Sequence, residues 1–247
     1  MKISIITAAY NSEKTIRDTL ENVKNQMYKD IEHIIIDGAS KDNTLAIVAE
    51  YPHVKKVISE KDKGIYDAMN KGIQIATGDV IGILNSDDLY QDSTVIQQVM
   101  DQFIQNPTLD IIYGDLVYVK SDNVNKVVRN WKSNSYHNNF FDNGNVPPHP
   151  SLFVKKRIYE EAGFFNLDFK LAADYEFMLR IFKKHNFKSK YLNKVIVKMR
   201  LGGATNQSIS NIKKQNIEIL KAWEHNQLES PFLLMPLRII KRLIQFI

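Results

Sequence analysis

Short β-branched runs alternate with amphipathic helical segments through the first 90 residues, and each run ends in polar residues. Strands are predicted at residues 3–6, 34–36, 54–58 and 80–84, with apolar residues at helical spacing between them. Strands with near-continuous apolar character are typical of a parallel sheet covered by helices on both faces. The sequence therefore predicts an α/β fold with a mainly parallel sheet, whose ligands bind at the carboxyl ends of the strands.

The pattern changes after residue 110. Residues 111–114 and 117–120 are strand signals without a long helix between them, and the Asn-, Ser-, Gly- and Pro-rich residues 133–150 predict a long loop. Helical spacing returns in three later segments, residues 156–162, 174–184 and 209–225. The second half is therefore expected to depart from the regular alternation of the first.

Composition excludes several classes of protein. The 247 residues include no cysteine, which excludes disulfides, thiolate metal sites and a cysteine nucleophile, so a metal must be held by oxygen or imidazole. Lys and Arg exceed Asp and Glu only by 33 to 28 and are dispersed, so nucleic-acid binding is not predicted. Residues 1–10 lack the features of a signal peptide, and a cytoplasmic location is expected.

Acidic residues follow three of the predicted strands. Asp37 ends the second strand, Asp62 follows the third, and Asp87 and Asp88 follow the fourth. In a parallel sheet these carboxylates meet at one edge, where a hard divalent cation would relieve their repulsion. We therefore predict a metal site at Asp87 and Asp88. The alternative is a turn whose carboxylates cap a helix beginning near Ser93.

The turn after the first strand offers no backbone cradle for phosphate. Residues 7–12 read Thr-Ala-Ala-Tyr-Asn-Ser, and the chain contains neither Gly-x-Gly-x-x-Gly nor Gly-x-x-x-x-Gly-Lys. This argues against a dinucleotide enzyme, in which Asp37 would anchor a ribose. A metal at Asp87 and Asp88 would instead neutralise a diphosphate and make it a good leaving group.

Five blocks of the sequence, in this order, resemble the signatures of the family 2 glycosyltransferases. They are residues 7–11, 37–44, 76–79 and 84–88, and the Ala-Ala-Asp-Tyr-Glu segment at 172–176. The resemblance extends to about residue 205 and is nearest to bacterial enzymes of capsule, exopolysaccharide and O-antigen assembly. It implies a GT-A fold with a Rossmann-like sheet, a nucleotide-sugar donor, and Mg²⁺ or Mn²⁺ as cofactor.

The resemblance also implies contacts to the donor nucleotide. Asp37 would contact the base, with Thr7, Ala8 and Tyr10 lining the same pocket, and Asp62 would contact the nucleotide as well. These roles follow from the matched positions in the family motifs.

Two acids match the end of the family's Asp-x-Asp motif. Asp87 and Asp88 would bind the ribose and the metal on the diphosphate, while Asn85 stands where many relatives have the first Asp. Gly38 replaces a second Asp that often follows Asp37 in relatives, and Met69 replaces an Arg. The sequence therefore leaves the identity of the nucleotide open.

Asp174 is our candidate for the general base. It would remove a proton from an acceptor hydroxyl during one displacement that inverts the anomeric configuration. Because it opens a predicted helix, capping that helix is the alternative role, and the two are compatible. His149 is predicted near the donor phosphates or the acceptor, and the alternative is a loop histidine packed by its prolines.

Three further features carry weaker signals. Trp131 and Tyr136 are candidates for stacking on sugar rings, although Trp131 could equally belong to the core. Arg200 with residues 202–205 resembles a segment that closes over the donor in some relatives, and its glycines would permit that movement.

Residues 231–247 are apolar and basic, with Arg238, Lys241 and Arg242 and no acid. The basic residues and Pro236 interrupt the segment well short of a membrane span. An amphipathic helix is expected, suited to an anionic membrane surface on the cytoplasmic face of the inner membrane, where a lipid-linked acceptor would be reached. The alternative is that this helix packs on the domain or on a partner subunit.

The sequence thus predicts an inverting, metal-dependent hexosyltransferase of bacterial surface polysaccharide synthesis. A UDP-sugar is the favoured donor, with GDP- and dTDP-sugars as alternatives, and a glycan, lipid-linked in our expectation, is the acceptor. Residues 1–115 would bind the donor, residues 116–208 the acceptor, and residues 209–247 would form a helical extension. The alternative is a non-catalytic sugar-nucleotide-binding subunit that acts through its C-terminal helix.

Overall fold

The computed structural model describes residues 1–202 and 209–245. The predicted donor-closing residues 203–205, the boundary at residue 208 and the last two residues of the C-terminal segment lie outside the described residues. The strands are β1 (Ile3–Ala9), β2 (Ile31–Asp37), β3 (Val54–Ser59), β4 (Val80–Ile83), β5 (Leu89–Tyr90), β6 (Ile111–Lys120), β7 (Asn123–Trp131), β8 (Phe153–Lys155) and β9 (Ser189–Arg200). The α-helices are α1 (Ile16–Lys24), α2 (Thr44–Ala49), α3 (Ile65–Ile75), α4 (Val95–Gln105), α5 (Lys156–Ala162), α6 (Ala173–Leu179), α7 (Ile209–His225) and α8 (Leu234–Ile244).

In the described part of the chain the strands form one mixed sheet. Its order is β3-β2-β1-β4-β8-β6-β9-β5, and β7 pairs with the end of β6. Strands β1 to β4 are parallel, whereas β8 runs antiparallel to both β4 and β6. The predicted α/β fold is confirmed. The parallel sheet expected from the apolar runs is found in β1 to β4, and the rest of the sheet is mixed.

Helices cover both faces of the parallel part. Ile16 and Leu20 of α1 pack with Ile35 on one face, and Ile73 of α3 packs with Ile6 on the other. Because β4 lies beside β1, the connections change face between these two strands. Ligands of open α/β sheets bind at such a switch point, outside the carboxyl ends of the strands.

The second half differs from the sequence-based prediction in two ways. The strand signals at residues 111–114 and 117–120 form one strand, β6, in which Gly114 packs so tightly on β9 that an added Cβ would overlap Ile196. Strands β5, β7, β8 and β9 were not predicted. The sequence signal of β9 is weak because it is only partly buried and carries lysines at positions 190, 194 and 198.

Helix α8 packs on the domain, which is one of the alternatives predicted for residues 231–247. Leu234 is buried, and the guanidinium of Arg238 lies 4.7 Å from the centre of the Tyr175 ring. Arg238 was predicted to belong to a basic strip at a membrane surface. This prediction is wrong, because its side chain points inward onto Tyr175. The outer face is apolar: Ile239, Ile240, Leu243 and Ile244 are each more than half exposed. None of the helices described here is long and apolar enough to cross a membrane.

Gly72 sets the distance between α3 and β1. A Cβ at this position would overlap Ile6 Cγ2 and lie 3.3 Å from Ile36 Cγ1. We expect Gly72→Ala to lower the free energy of unfolding by about 1–2 kcal/mol, because overpacking costs about 1–3 kcal/mol and improved helix propensity returns at most about 1. Urea denaturation measures the change, with Gln74→Ala on the exposed side of the same helix as control. Equal stability of the two variants would contradict this packing.

Candidate active site

The carboxyl ends of β1, β2 and β3 bring two residues that were predicted to contact the donor, Tyr10 and Asp62, to either side of Gly38. Tyr10 is 62% exposed just after β1. A Cβ on Gly38 would lie 2.5 Å from Asp62 Oδ2 and 3.3 Å from Tyr10 Cδ2, so both side chains approach this glycine. A side chain at position 38 would therefore require the Asp62 carboxylate to move. Tyr10, Gly38 and Asp62 thus form a continuous surface at the strand ends.

Asp37 is fully buried at this edge and makes internal hydrogen bonds. Its carboxylate accepts bonds from the Ser40 backbone N–H at 3.0 Å, from the Ser59 hydroxyl at 2.6 Å and from the Ser40 hydroxyl. These bonds hold the loop after β2 against the end of β3. A direct contact between Asp37 and a nucleotide base stays a prediction, and it would require Ser40 or Ser59 to move.

Thr7 and Ala8 lie within β1 and are buried. The Thr7 hydroxyl is 3.1 Å from Nε2 of His33, so its side chain is engaged inside the sheet. The loop that follows is tied to its neighbours, since the Asn11 backbone N–H donates to the Ser40 hydroxyl at 2.8 Å. The structure therefore brings Tyr10, but not the Thr7 side chain, to the strand ends.

Asp87 and Asp88 lie in the turn after β4. Asp88 is fully buried, accepts a hydrogen bond from Asn85 Nδ2 at 3.1 Å through Oδ2, and has no hydrogen-bond partner for Oδ1. Burial raises the pKa of Asp88 well above its ordinary value, and the charge of Asp87 raises it further. Burial also raises the pKa of Asp87. The charge of Arg200 lowers the pKa of both carboxyls and so opposes these rises in part.

The alternative role of this pair as a helix cap is wrong. Helix α4 begins at Val95, and Asp92 accepts hydrogen bonds from the Thr94 backbone N–H and hydroxyl just before it. Strand β5 separates Asp87 and Asp88 from that helix. Their position therefore needs another explanation than helix initiation.

The pair fits a divalent cation. In residues 1–202 and 209–245 no group of three or more acidic or histidine side chains forms a complete cage. Mg²⁺ and similar ions are, however, commonly bound through one or two carboxylates plus substrate phosphates and water. The unpartnered Oδ1 of Asp88 is an open ligand position of the kind such an ion needs. Asp87 and Asp88 are accordingly the residues that could hold a metal.

Arg200, at the end of β9, fixes the turn that carries this pair. Its guanidinium donates to the Asp87 carbonyl oxygen at 2.9 Å and pairs with the Asp18 carboxylate. Arg200 is buried, and its Nε has no hydrogen-bond partner. Arg200 was predicted to belong to a segment that closes over the donor, whereas its observed contacts hold the turn after β4 against α1.

Asp174 lies in the first turn of α6 and is half-buried. Its Oδ1 accepts a hydrogen bond from the Tyr66 hydroxyl at 3.0 Å. Ala172 is the N-cap residue of α6, and no side-chain cap hydrogen bond is formed there. Glu218 of α7 accepts the Leu171 and Ala172 backbone N–H groups at 2.8 and 2.9 Å, just before the helix begins. The contact that holds the Asp174 carboxylate is the one with Tyr66.

Asp88 and Asp174 face a common region. Burial raises the pKa of Tyr118; the charges of Arg129 and Arg242 lower it, and those of Asp88 and Asp174 raise it. Both carboxylates are therefore within electrostatic reach of one phenol, and we call the space between the strand ends and α6 the cleft. Burial lowers the pKa of His149, an effect that the charge of Asp174 opposes, so His149 also lies near this carboxylate.

The two aromatic candidates have different surroundings. Tyr136 packs on Phe140 and Phe182, with ring centres 5.8 and 5.2 Å away, so its position is that of a core residue. Trp131 is half-buried at the end of β7 and lines a cavity together with Arg238. Sequence reasoning missed Tyr66, Tyr118, Glu218 and the inward turn of Arg238. No local pattern marks them, because their partners are distant in the chain.

The chain matches known proteins in both sequence and structure. The family model described as Glycosyl transferase family 2 matches residues 4–161. A PGL/p-HBAD biosynthesis glycosyltransferase of Mycobacterium bovis is 26% identical over 208 residues, which cover 82% of this chain and 78% of that protein. An uncharacterised glycosyltransferase of Mycobacterium tuberculosis is 32% identical over 182 residues, covering 72% and 68%.

Solved structures share the architecture. TarS of S. aureus, residues 1–349 in complex with UDP, superposes with a TM-score of 0.68 at 17% identity, covering 96% of this chain and 68% of that one. The mannosyltransferase PcManGT of Pyrobaculum calidifontis, in complex with GDP-Man and Mn²⁺, gives 0.63 at 18% identity, covering 97% and 73%. The chain adopts the GT-A fold and belongs to glycosyl transferase family 2.

Proposed function

We propose that this glycosyltransferase is an inverting, metal-dependent enzyme. It moves a hexosyl group from a nucleotide sugar to a hydroxyl of a lipid-linked glycan in bacterial surface polysaccharide synthesis. One observation carries the proposal: Asp88 is fully buried in the turn after β4, and its Oδ1 has no hydrogen-bond partner. An acid pair suited to a cation thus lies at the end of a parallel strand, and the Asp174 carboxylate, which Tyr66 holds at 3.0 Å, lies at the start of α6.

A UDP-sugar is the donor we favour, bound at the half formed by residues 1–115. Tyr10 and Asp62, which flank Gly38, offer an exposed ring and a carboxylate to the base and ribose. Support also comes from TarS, which has been solved with UDP and with UDP-GlcNAc. Because PcManGT has been solved with GDP-Man, a GDP-sugar is one alternative donor. A dTDP-sugar is a second alternative donor.

Asp87 and Asp88 would hold Mg²⁺ or Mn²⁺. When bound, the ion supplies positive charge to the diphosphate and so improves it as a leaving group. The protein's contribution is the position of the two carboxylates. Asn85 orients the Asp88 side chain at 3.1 Å, and Arg200 holds the backbone of Asp87 at 2.9 Å.

Asp174 would act as the general base. It takes the proton of the acceptor hydroxyl while that oxygen forms its bond to the anomeric carbon, and the bond from this carbon to the diphosphate breaks on the opposite face. The configuration is thereby inverted. Tyr66 holds the carboxylate by a bond of 3.0 Å. The lowered pKa of His149 keeps its imidazole neutral, so it can exchange hydrogen bonds with donor or acceptor without adding charge.

The acceptor would lie over the half formed by residues 116–208 and reach it from a membrane surface. Helix α8 presents Ile240, Leu243 and Ile244 to the outside, each more than half exposed, and Lys241 is exposed beside them. An apolar helix face with a flanking cation is suited to an anionic bilayer. We therefore propose that the protein binds peripherally to the cytoplasmic face of the inner membrane.

Replacing Asp88 tests the metal site. Asp88→Asn should abolish the Mn²⁺-dependent thermal stabilisation that UDP confers, because the variant lacks the buried carboxylate charge. Parallel titrations with GDP and dTDP identify the preferred nucleotide. Asp30→Asn, an exposed substitution of the same chemistry, should retain the full shift. A metal-dependent UDP shift that persists in Asp88→Asn would remove this residue from the metal site.

The same variant should stabilise the metal-free protein at neutral pH. In the native state Asp88 keeps its proton above the ordinary aspartate pKa of about 3.9, whereas the unfolded chain releases it there, so stability falls as pH rises toward the raised native pKa. Asparagine removes this loss. We expect a gain of about 1–3 kcal/mol at pH 7.5, measured by urea denaturation with chelator present. A gain at pH 7.5 that does not shrink at low pH would contradict the titration argument.

Replacing Asp174 tests the base. Asp174→Asn should reduce sugar transfer by at least about 10²-fold, the lower end of what general-base catalysis contributes, while leaving the Mn²⁺-dependent UDP shift intact. Asp168→Asn, at an exposed carboxylate shortly before α6, is the matched control and should be fully active. Full activity of Asp174→Asn would exclude the base role. Absence of both transfer and donor hydrolysis in the unmodified protein would favour the non-catalytic subunit.

Membrane contact is tested on the outer face of α8. Changing Ile240, Leu243 and Ile244 together to Ser should lower flotation with phosphatidylglycerol vesicles more than tenfold, because burying one such side chain contributes about 1.5–3 kcal/mol and 1.4 kcal/mol is tenfold. The control changes Ile217 and Leu220, exposed apolar residues of α7, to Ser. Point variants are preferable to truncation after Ser230, since truncation also removes the buried Leu234. Unchanged flotation would disprove the contact.

A further inference from the structure

A cavity of about 100 Å³ lies between the end of β7, the loop near Gly144 and helix α8. Four basic side chains line it, those of Lys132, Arg238, Lys241 and Arg242. Among the described residues that line it, none is acidic. We call this cavity the cationic pocket. Its size suits a group of a few heavy atoms rather than a sugar ring.

Arg238 carries an unsatisfied donor in this pocket. Its Nη1 is buried and has no hydrogen-bond partner, while the guanidinium stacks over Tyr175 at 4.7 Å. Burial lowers the pKa of Arg238, whereas its interactions with Tyr175 and Asp174 raise it and the charge of Arg242 lowers it. Buried polar groups are nearly always hydrogen-bonded, so a cation with an open donor beside a second cation calls for an anionic partner.

The pocket walls are fixed on both sides. Gly144 has φ of +73° and lies so near α8 that an added Cβ would be 2.8 Å from the Arg238 backbone nitrogen. At the other wall Arg129 Nε donates to Gln245 Oε1 at 2.8 Å, and the Asn130 backbone N–H donates to the Gln245 carbonyl oxygen at 2.9 Å. The backbone segments that carry the basic residues are therefore held in place on both sides of the pocket.

We propose that the cationic pocket binds a phosphate or diphosphate group of the acceptor, whose hydrocarbon chain lies on the exposed apolar face of α8. This inference rests on the proposed function for the acceptor. Several cations, with no acid among the described lining residues, match a multiply charged anion, and arginine presents paired N–H groups that suit phosphate oxygens. The ligand class is thus an amphiphilic phosphate ester.

The position of the pocket favours the acceptor over the donor. Arg238 stacks on Tyr175, the residue after Asp174, so the pocket adjoins the proposed base. None of the strand-end residues that we assign to the donor lines it. Lys241 stands on α8 between the inward side of Arg238 and the outward side of Ile244, one helical turn or less from each. A phosphate in the pocket can therefore continue into a chain on the apolar face.

Trp131 provides a direct readout, because it lines the pocket. Titrating the full chain with dodecyl phosphate should change tryptophan fluorescence, and Trp131→Phe should remove the change. Inorganic phosphate should bind at least tenfold more weakly, and neutral dodecyl maltoside, kept below its micelle concentration, should give no saturable signal. Equal binding of the maltoside would overturn the phosphate assignment. Equal binding of inorganic phosphate would overturn the placement of the chain.

Charge variants give the second test. Lys132→Gln, at an exposed position, and Arg242→Gln should each weaken dodecyl phosphate binding about tenfold, whereas Lys126→Gln, exposed on β7, should not. Unchanged affinity in Lys132→Gln and Arg242→Gln would overturn the proposal. The titration is repeated with saturating UDP and Mn²⁺, which should leave binding intact, and loss of binding there would assign the pocket to the donor. Failure of the proposed function is seen separately, as absence of a metal-dependent UDP shift.

Discussion

The half of this protein that we propose to bind the donor depends on Asp88, a carboxyl group that is shielded from water and only partly hydrogen-bonded. Asp88 is fully buried, yet only one of its oxygens accepts a hydrogen bond, from Asn85. The surrounding bonds fix its backbone instead: Thr19 donates to the Asp88 carbonyl oxygen at 2.9 Å, and Arg200 to that of Asp87. A buried acceptor without a partner costs about 1–3 kcal/mol or more. Because the protein holds this arrangement rigidly, the cost is concentrated where a cation would relieve it.

On the opposite side of the cleft, Asp174 lies in the first turn of α6, where its carboxylate must remain available to a substrate. Helix N-termini attract acids, and Asp174 alone would be expected to turn back on its own backbone. Glu218 reaches from α7 and accepts the Leu171 and Ala172 backbone N–H groups, which fixes the chain just before α6. Tyr66, whose pKa burial raises well above its ordinary value, keeps its proton and donates a hydrogen bond to the Asp174 carboxylate. The proposed base is therefore positioned by a residue 108 positions away in sequence.

Sequence reasoning reached the parallel part of the fold and the acids at its edge, because both follow from local periodicity. β1 to β4 appear where their apolar runs predict them, and Asp62, Asp87 and Asp88 follow the strands as expected. The sequence-based predictions failed where an element depends on contacts with residues that are distant in the chain. Strand β9 is half-exposed and interspersed with lysines, so its alternation is hidden until its pairing with β6 is known. Asp87 and Asp88 also resemble helix caps in the sequence, but Asp92 bonds the Thr94 backbone N–H and hydroxyl just before α4.

The second half of the sheet is also what connects the two sides of the cleft. β9 pairs in parallel with β6 along most of its length and in antiparallel fashion with β5, the strand immediately after the acid pair. It ends at Arg200, whose guanidinium reaches both the Asp87 carbonyl oxygen and the Asp18 carboxylate of α1. A displacement of β9 would therefore also move the turn that we propose to bind a metal. Tyr118 lies on β6 next to this strand, and the charges of Asp88 and Asp174 raise its pKa while those of Arg129 and Arg242 lower it.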